Sequence, residues 1–186
     1  MKKFRSAFFA ACLAVSTAAM TSACSSLPDE VDRAQIDAGS RAALNKLISE
    51  NRAAKAVNSQ ARAALVFPSM VKAGLAFGGA YGEGELIRNG ATVDYYSSFT
   101  GSWGLQAGAQ SYGYVIFLMN DEAETYLDSS DGWEVGVGPT VVLVNAGIAQ
   151  NLSTSTLKED AYAFIFDQKG LMAGVSIEGT KITKLK

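Results

Sequence analysis

The chain changes character near Val66, and this change most constrains its fold. Between residues 29 and 65, apolar side chains recur at helical spacing with charges between them, and Pro28 suits the entry to a helix. Beyond Val66, glycine is frequent, and the apolar runs are short and separated by turns. Helices followed by antiparallel strands predict an α+β fold, with an N-terminal helical layer packed on a curved antiparallel β-sheet or barrel-like core. Glycines within strands permit that curvature.

Turn residues divide this second part into strands. Asn89-Gly90 is the strongest two-residue hairpin signal, and it joins residues 83–88 to residues 91–96. A second hairpin is predicted from residues 161–166 to 171–177, with residues 167–170 as its loop. Buried strands are expected at residues 113–119 and 140–144, and a short helix at residues 121–127. Among the helices, Gly39-Ser40 and Asn58-Ser59 are the predicted points of division.

Two absences limit the chemistry. The chain has no histidine, and its two cysteines are Cys12 and Cys24. If the chain is cut before Cys24, the domain has no imidazole and no further thiol, which excludes Ser-His-Asp or Cys-His catalysis and imidazole or thiolate metal sites. The cut also takes three positive charges from a formal net charge of −2, which leaves −5. We therefore predict no enzyme, no cofactor, no metal and no nucleic-acid partner.

Residues 1–23 have the three zones of an export signal. A basic start precedes an apolar stretch over residues 7–15, which is too short to span a bilayer, and a small polar run leads to Cys24. The run Thr21-Ser22-Ala23-Cys24 resembles a bacterial lipobox, although Thr21 stands where an aliphatic residue is usual. We predict a lipoprotein signal peptide at 1–23, lipidation of Cys24, a tether at 24–30 and one domain at 31–186. Ser25 resembles the outer-membrane sorting rule, which places the protein on that membrane facing the periplasm.

Four blocks in order resemble the SYLF family. The first opens with Leu65-Val66-Phe67-Pro68 and runs on through Phe77-Gly78-Gly79-Ala80-Tyr81-Gly82. The others lie at residues 101–111, 136–139 and 169–179, so that the resemblance covers residues 40 to 183. One departure is Asp94-Tyr95-Tyr96-Ser97-Ser98, where many members carry a segment like Trp-Ser-Ala-Pro. That form resembles the bacterial lipoprotein branch of the family.

The resemblance implies lipid and partner binding rather than catalysis. Eukaryotic SYLF domains bind phosphoinositides, partly through an amphipathic segment near their N-terminus, and some bundle actin. What transfers to an exported bacterial domain is affinity for anionic phospholipid. The candidates for headgroup contacts are cations at block edges or beside the hairpin turn: Lys72, Arg88, Lys169 and Lys181. The aromatic residues are candidates for an apolar lipid-accepting pocket or an interfacial belt: Trp103, Trp133, Tyr95, Tyr96, Tyr162, Phe164 and Phe166. Tyr162, Phe164 and Phe166 alternate with small or aliphatic residues, which favours a core strand.

Three functions remain open at this point. The leading one is an outer-membrane lipoprotein that binds anionic phospholipid and helps to organise or maintain the envelope. The second is an envelope scaffold that binds a protein partner and touches the membrane only through its acyl anchor. The last is a hydrolase that uses carboxylates such as Glu83, Glu85 or Asp94, alone or with a bound cation. The sequence leaves the oligomeric state open.

Overall fold

Two helices precede a sheet whose three main strands are unusually long. The computed structural model describes residues 32–129, 133–135, 137–152 and 155–186. In chain order the elements are α1 (Arg33–Glu50), α2 (Arg52–Asn58), β1 (Ala63–Arg88), β2 (Ala91–Leu118), α3 (Asp121–Ser129), β3 (Trp133–Glu134), β4 (Val141–Leu143), α4 (Ala146–Asn151) and β5 (Ala161–Lys184). The predicted signal peptide, Cys24 and the tether at 24–30 lie outside the described residues. The residues from Arg33 to Lys186 form one compact unit.

The helical layer is confirmed, but its division differs from the prediction. α1 ends at Glu50, and Asn51 begins α2 by accepting a hydrogen bond from the Ala54 backbone N–H at 3.0 Å. Gly39-Ser40 lies inside α1 and does not interrupt the helix. The small size of these two residues lets α1 pack closely against β1 instead. A Cβ on Gly39 would lie 3.3 Å from the Pro68 ring, and Ser40 is fully buried against β1. Asn58-Ser59 is the predicted end of α2.

The sheet has the strand order β1-β2-β5-β3, with antiparallel pairing along this path, and β4 pairs parallel to β5. The predicted hairpin at Asn89-Gly90 joins β1 to β2, and both turn residues have positive φ, 52° and 77°. Helices on an otherwise antiparallel sheet confirm the α+β class. No helix in the described part of the chain is long and apolar enough to cross a membrane.

The second predicted hairpin is wrong. β5 continues from Ala161 to Lys184 along β2, and the register passes from Phe166–Gly113 to Lys169–Ser111. Residues 167–168 therefore form a bulge, in which Asp167 has a φ of 53°. The turn chemistry is real, but β2 is long enough to pair with both halves of β5, and a bulge satisfies the same backbone preference.

The long strands bend back on themselves. A Cβ on Gly84 would clash with the carbonyl oxygen of Val66, and one on Gly82 would lie 2.7 Å from the Ser69 carbonyl oxygen. Such contacts between distant parts of β1 require a sharp bend, and the register shifts between Leu75 and Phe77, where Ala76 has a φ of 65°. The predicted curvature of the sheet is thereby confirmed.

The bend gives the sheet two faces. The inner face carries one core cluster, which includes Leu65, Phe67 and Ile116, and α3 and β3 pack over it. The outer face carries a second cluster with Val66 and Phe117, and α1 and α2 cover it there. Outer-face and inner-face positions alternate along each strand, so the strand register assigns the remaining residues to one face or the other.

Candidate functional site

The outer face loses its helical cover around the bend. Three strand segments, residues 69–81, 99–111 and 169–181, pair side by side there. Seven large apolar side chains at outer-face positions of these segments are exposed. They are Val71, Leu75, Phe77, Tyr81, Phe99, Trp103 and Leu171, and we call them the apolar outer face.

The most exposed members of the apolar outer face lie closest to the bend. Leu171 is 87% exposed, Leu75 78%, Phe77 70% and Trp103 68%. Phe77 and Trp103 are register partners, and their rings stack with centroids 6.1 Å apart and an interplanar angle of 8°. Large apolar side chains scattered singly over a surface are ordinary, whereas a contiguous group of this kind is typical of a binding surface.

Two of the predicted headgroup cations flank this face. Lys169 and Lys181 are exposed, and they occupy outer-face positions of β5 opposite Ser111 and Phe99. Within the described part of the chain neither lysine forms an ion pair. The three bend segments contain one acidic residue, Glu178, which falls on the inner face. The outer-face positions of these three segments thus hold two lysines and no acidic residue, although the exposed Glu134 of β3 is the register partner of Lys181 on its other side.

The other two predicted cations are ion-paired within the fold. Lys72 lies on the inner face, is only 7% exposed and pairs with Glu178. Arg88 pairs with Glu124, a buried residue of α3. The structure thus places Lys169 and Lys181 at outer-face positions on the two sides of the bend, and it places Lys72 and Arg88 in ion pairs away from them. Lipid contact by any of the four stays a prediction.

The inner face contains a cleft of about 180 Å³ near the same bend. Met70, Tyr112 and Tyr114 line it, together with a pair of threonines, Thr100 and Thr180, whose hydroxyl oxygens are 2.8 Å apart. Burial raises the pKa of both tyrosines above the usual value, so each remains a neutral hydroxyl. The cleft can accommodate a small, largely apolar group.

Most of the aromatic residues belong to the core, as the alternation predicts. Trp133, Tyr96, Tyr162 and Phe164 are buried. The Tyr96 hydroxyl donates a hydrogen bond to Asp128 at 2.8 Å, and its pKa is raised, first by burial and then by this bond. Trp103 is the exception. The sequence analysis did not identify the neighbouring residues Leu75, Phe77 and Leu171 as surface residues. The one available sequence signal was the scarcity of acidic residues in their strand segments.

The candidate carboxylates have structural partners. Glu83 and Glu85 share the outer face, and Glu83 accepts a hydrogen bond from the Tyr81 hydroxyl at 2.7 Å. Burial is the main reason why the pKa of Tyr81 rises to about 12. Glu85 is fully buried, and it accepts a hydrogen bond from Thr92 at 2.6 Å.

Asp94, the third candidate carboxylate, pairs with Lys184, and this pairing raises the pKa of the lysine. In the part of the chain that the structure describes, no three acidic residues are grouped as a metal site would require.

Comparison with known families returns one match. A family model described as Ysc84, a Las17-binding protein actin regulator, matches residues 99–186. No curated protein matches the chain. The matched region begins with Phe99 and contains Trp103, Leu171 and both exposed lysines, which are the β2 and β5 contributions to the bend.

Proposed function

Because the chain carries a domain of the SYLF family, matched over residues 99–186, we propose that it is an outer-membrane lipoprotein that binds anionic phospholipid. In this proposal Cys24 holds the acyl anchor, the domain faces the periplasm, and binding helps to organise or maintain the envelope. The family is one of lipid- and actin-binding domains, which supports a lipid-binding role. The charges of the outer face support the anionic preference.

The observation that carries the proposal is the pair of exposed lysines on three strand segments whose outer-face positions hold no acidic residue. A domain with a net charge near −5 after loss of residues 1–23 is repelled by an anionic bilayer unless a local basic surface faces it. Lys169 and Lys181 supply such a surface, since neither forms an ion pair in the described structure, although Glu134 of β3 lies opposite Lys181 in the sheet. Each lysine near a membrane surface contributes about 1 kcal/mol.

Vesicle co-sedimentation tests this proposal. The compact unit from Arg33 to Lys186 is intact in a protein of residues 26–186, which lacks Cys24 and hence any anchor. We expect it to sediment with anionic vesicles more than with neutral ones, and to be released by salt because exposed charges are screened. Failure to sediment with either vesicle at any salt concentration would overturn lipid binding by the domain.

That negative result would favour the scaffold, in which a protein partner binds the domain and the anchor alone touches the membrane. The description of the matching family names a protein, Las17, as the binding partner of the protein it describes. A protein is therefore the second candidate ligand for a domain of this family. The proposal assigns no catalytic step, metal or cofactor to the chain. Hydrolytic turnover that depends on Ca²⁺ or Mg²⁺ would contradict it.

A further inference from the structure

The apolar outer face is a second means of membrane contact, distinct from the lysines. We propose that the bend docks on the bilayer with this face down, so that Phe77, Trp103 and Leu171 enter the interfacial region while Lys169 and Lys181 meet the headgroups. This inference rests on the proposed function, and it adds the surface that contacts the bilayer and the depth to which its side chains enter. It makes binding partly hydrophobic, and therefore partly resistant to salt.

The side chains of the apolar outer face are of the kinds that favour a membrane interface. Tryptophan and other aromatic residues favour the membrane–water interface, where an apolar ring sits at headgroup level. Trp103 and Phe77 form a stacked pair that is already exposed, so no core residue has to be withdrawn for insertion. Leu171 and Leu75 add two aliphatic side chains that are more exposed than either ring.

The hydrogen bonding of the backbone at the bend is also compatible with contact to lipid. Unpaired peptide groups are costly to bring into an apolar medium. At the bend β2 lies between β1 and β5, and the strand register keeps it paired with both neighbours through most of residues 99–111. The central strand of the docking face therefore offers side chains to the lipid while its backbone pairs with both neighbouring strands, except at residues 104–106, which pair with β5 alone.

Charge decides whether a bilayer or a second protein covers the apolar outer face. A second copy of this chain packed face to face would bring its own Lys169 and Lys181 to the same interface, where like charges oppose association. An anionic bilayer supplies phosphates at the rim and hydrocarbon at the centre. Lys169 and Lys181 lie on the same face as the apolar side chains, with Leu171 two positions from one of them and Phe99 opposite the other. This arrangement matches the layered chemistry of a lipid surface.

The two tryptophans provide the test. Trp103 is exposed on the docking face and Trp133 is fully buried in the inner core, and the chain has no others. Residues 26–186 and its W103F variant are mixed with vesicles whose phospholipid is brominated on the upper acyl chain, because bromine quenches tryptophan only on close approach. We expect quenching in the parent protein and little in W103F, where the buried Trp133 alone reports.

A matched pair of leucines tests the energetic part. Leu171→Gln removes an apolar side chain from the docking face, whereas Leu143→Gln changes one that is 52% exposed in β4. We expect L171Q to weaken vesicle binding about tenfold at both low and moderate salt, and L143Q to change it less than twofold. Circular dichroism of both variants shows that the comparison is between folded proteins.

Three outcomes would overturn the inference. One is a parent protein that sediments with the vesicles but is quenched no more than W103F, which leaves the lysine proposal intact. Another is an equal effect of L171Q and L143Q. The last is a dimer that shields Trp103 from an aqueous quencher before any lipid is added, which would assign the face to a second copy of the chain. If no vesicle binds at all, the proposed function fails instead.

Discussion

The structure divides the four candidate cations into two classes, exposed and ion-paired, and this division predicts how far each class contributes to affinity for anionic vesicles. Lys169 and Lys181 are exposed without ion pairs in the described residues, while Lys72 is paired with Glu178. At about 1 kcal/mol for each lysine at a membrane surface, the double variant K169Q/K181Q loses about 2 kcal/mol. Since 1.4 kcal/mol corresponds to a factor of ten, affinity for anionic vesicles should fall about 30-fold.

The control is a second double variant, K72Q/E178Q. It removes the same kind of lysine but also its carboxylate partner, so the net charge is unchanged and no buried charge is left alone. We expect this variant to bind anionic vesicles within about twofold of the parent protein. The assay is co-sedimentation of residues 26–186 with vesicles of graded anionic content, with salt varied for each protein.

The salt dependence separates the proposal from its rivals. The K169Q/K181Q variant should show a shallower loss of binding with salt than the parent, because fewer screened contacts remain. If both double variants lose affinity to the same extent, then total charge or stability matters, and the division of the cations is wrong. Unchanged binding by K169Q/K181Q would refute the role of the outer face in headgroup contact.

Two further predictions concern the fold and its dependence on pH. Gly84→Ala should lower the free energy of unfolding by about 2–3 kcal/mol in urea denaturation, because its Cβ clashes with a backbone carbonyl oxygen, while Gly179→Ala, whose Cβ has open space, should lower it by less than about 1 kcal/mol. Burial raises the pKa of Glu85, so its contribution to stability is complete below the unfolded-state pKa near 4.3 and is lost as pH rises through the folded-state value. The parent should therefore lose stability over that rise, and E85Q should lose less; equal pH profiles would contradict this account.

The sequence predicts those parts of the fold that local chemistry controls. Asn89-Gly90 adopts positive φ at both residues, and few other two-residue turns can. Residues 167–170 also have turn chemistry, but a turn and a bulge satisfy it equally well. Only the pairing of both halves of β5 with β2, from Tyr96 to Leu118, decides between them, and that pairing is a property of the tertiary structure.

In the candidate site, too, local sequence predicts some features and the tertiary structure decides the others. Lys72 and Lys169 are alike as sequence features, yet one has a carboxylate partner 106 residues away along the chain and the other has none in the described part. Phe77 lies in a strand whose composition resembles a core strand, and its exposure depends on where the helices stop covering the sheet. The helices themselves were predictable, but their placement over the ends of the strands was not.

An acyl anchor changes what a 30-fold loss of affinity means. If Cys24 is lipidated, only residues 25–32 separate the anchor from α1, and a linker this short gives an effective concentration in the millimolar range. An outer face that binds lipid with a dissociation constant well below this value stays docked, whereas one weakened beyond it leaves a protein that is anchored but free to rotate away. Both proteins would sediment with vesicles, so sedimentation is the wrong assay for the lipidated form.

Quenching of Trp103 by iodide from the aqueous phase distinguishes the two states. In proteoliposomes of lipidated protein we expect Trp103 to be protected in the parent and accessible in K169Q/K181Q, while Trp133 stays protected in both because it is fully buried. Accessibility of Trp103 in the lipidated parent would mean that the anchor alone holds the domain at the membrane. The exposed outer face would then be available to a protein partner, which is the arrangement that the scaffold hypothesis requires.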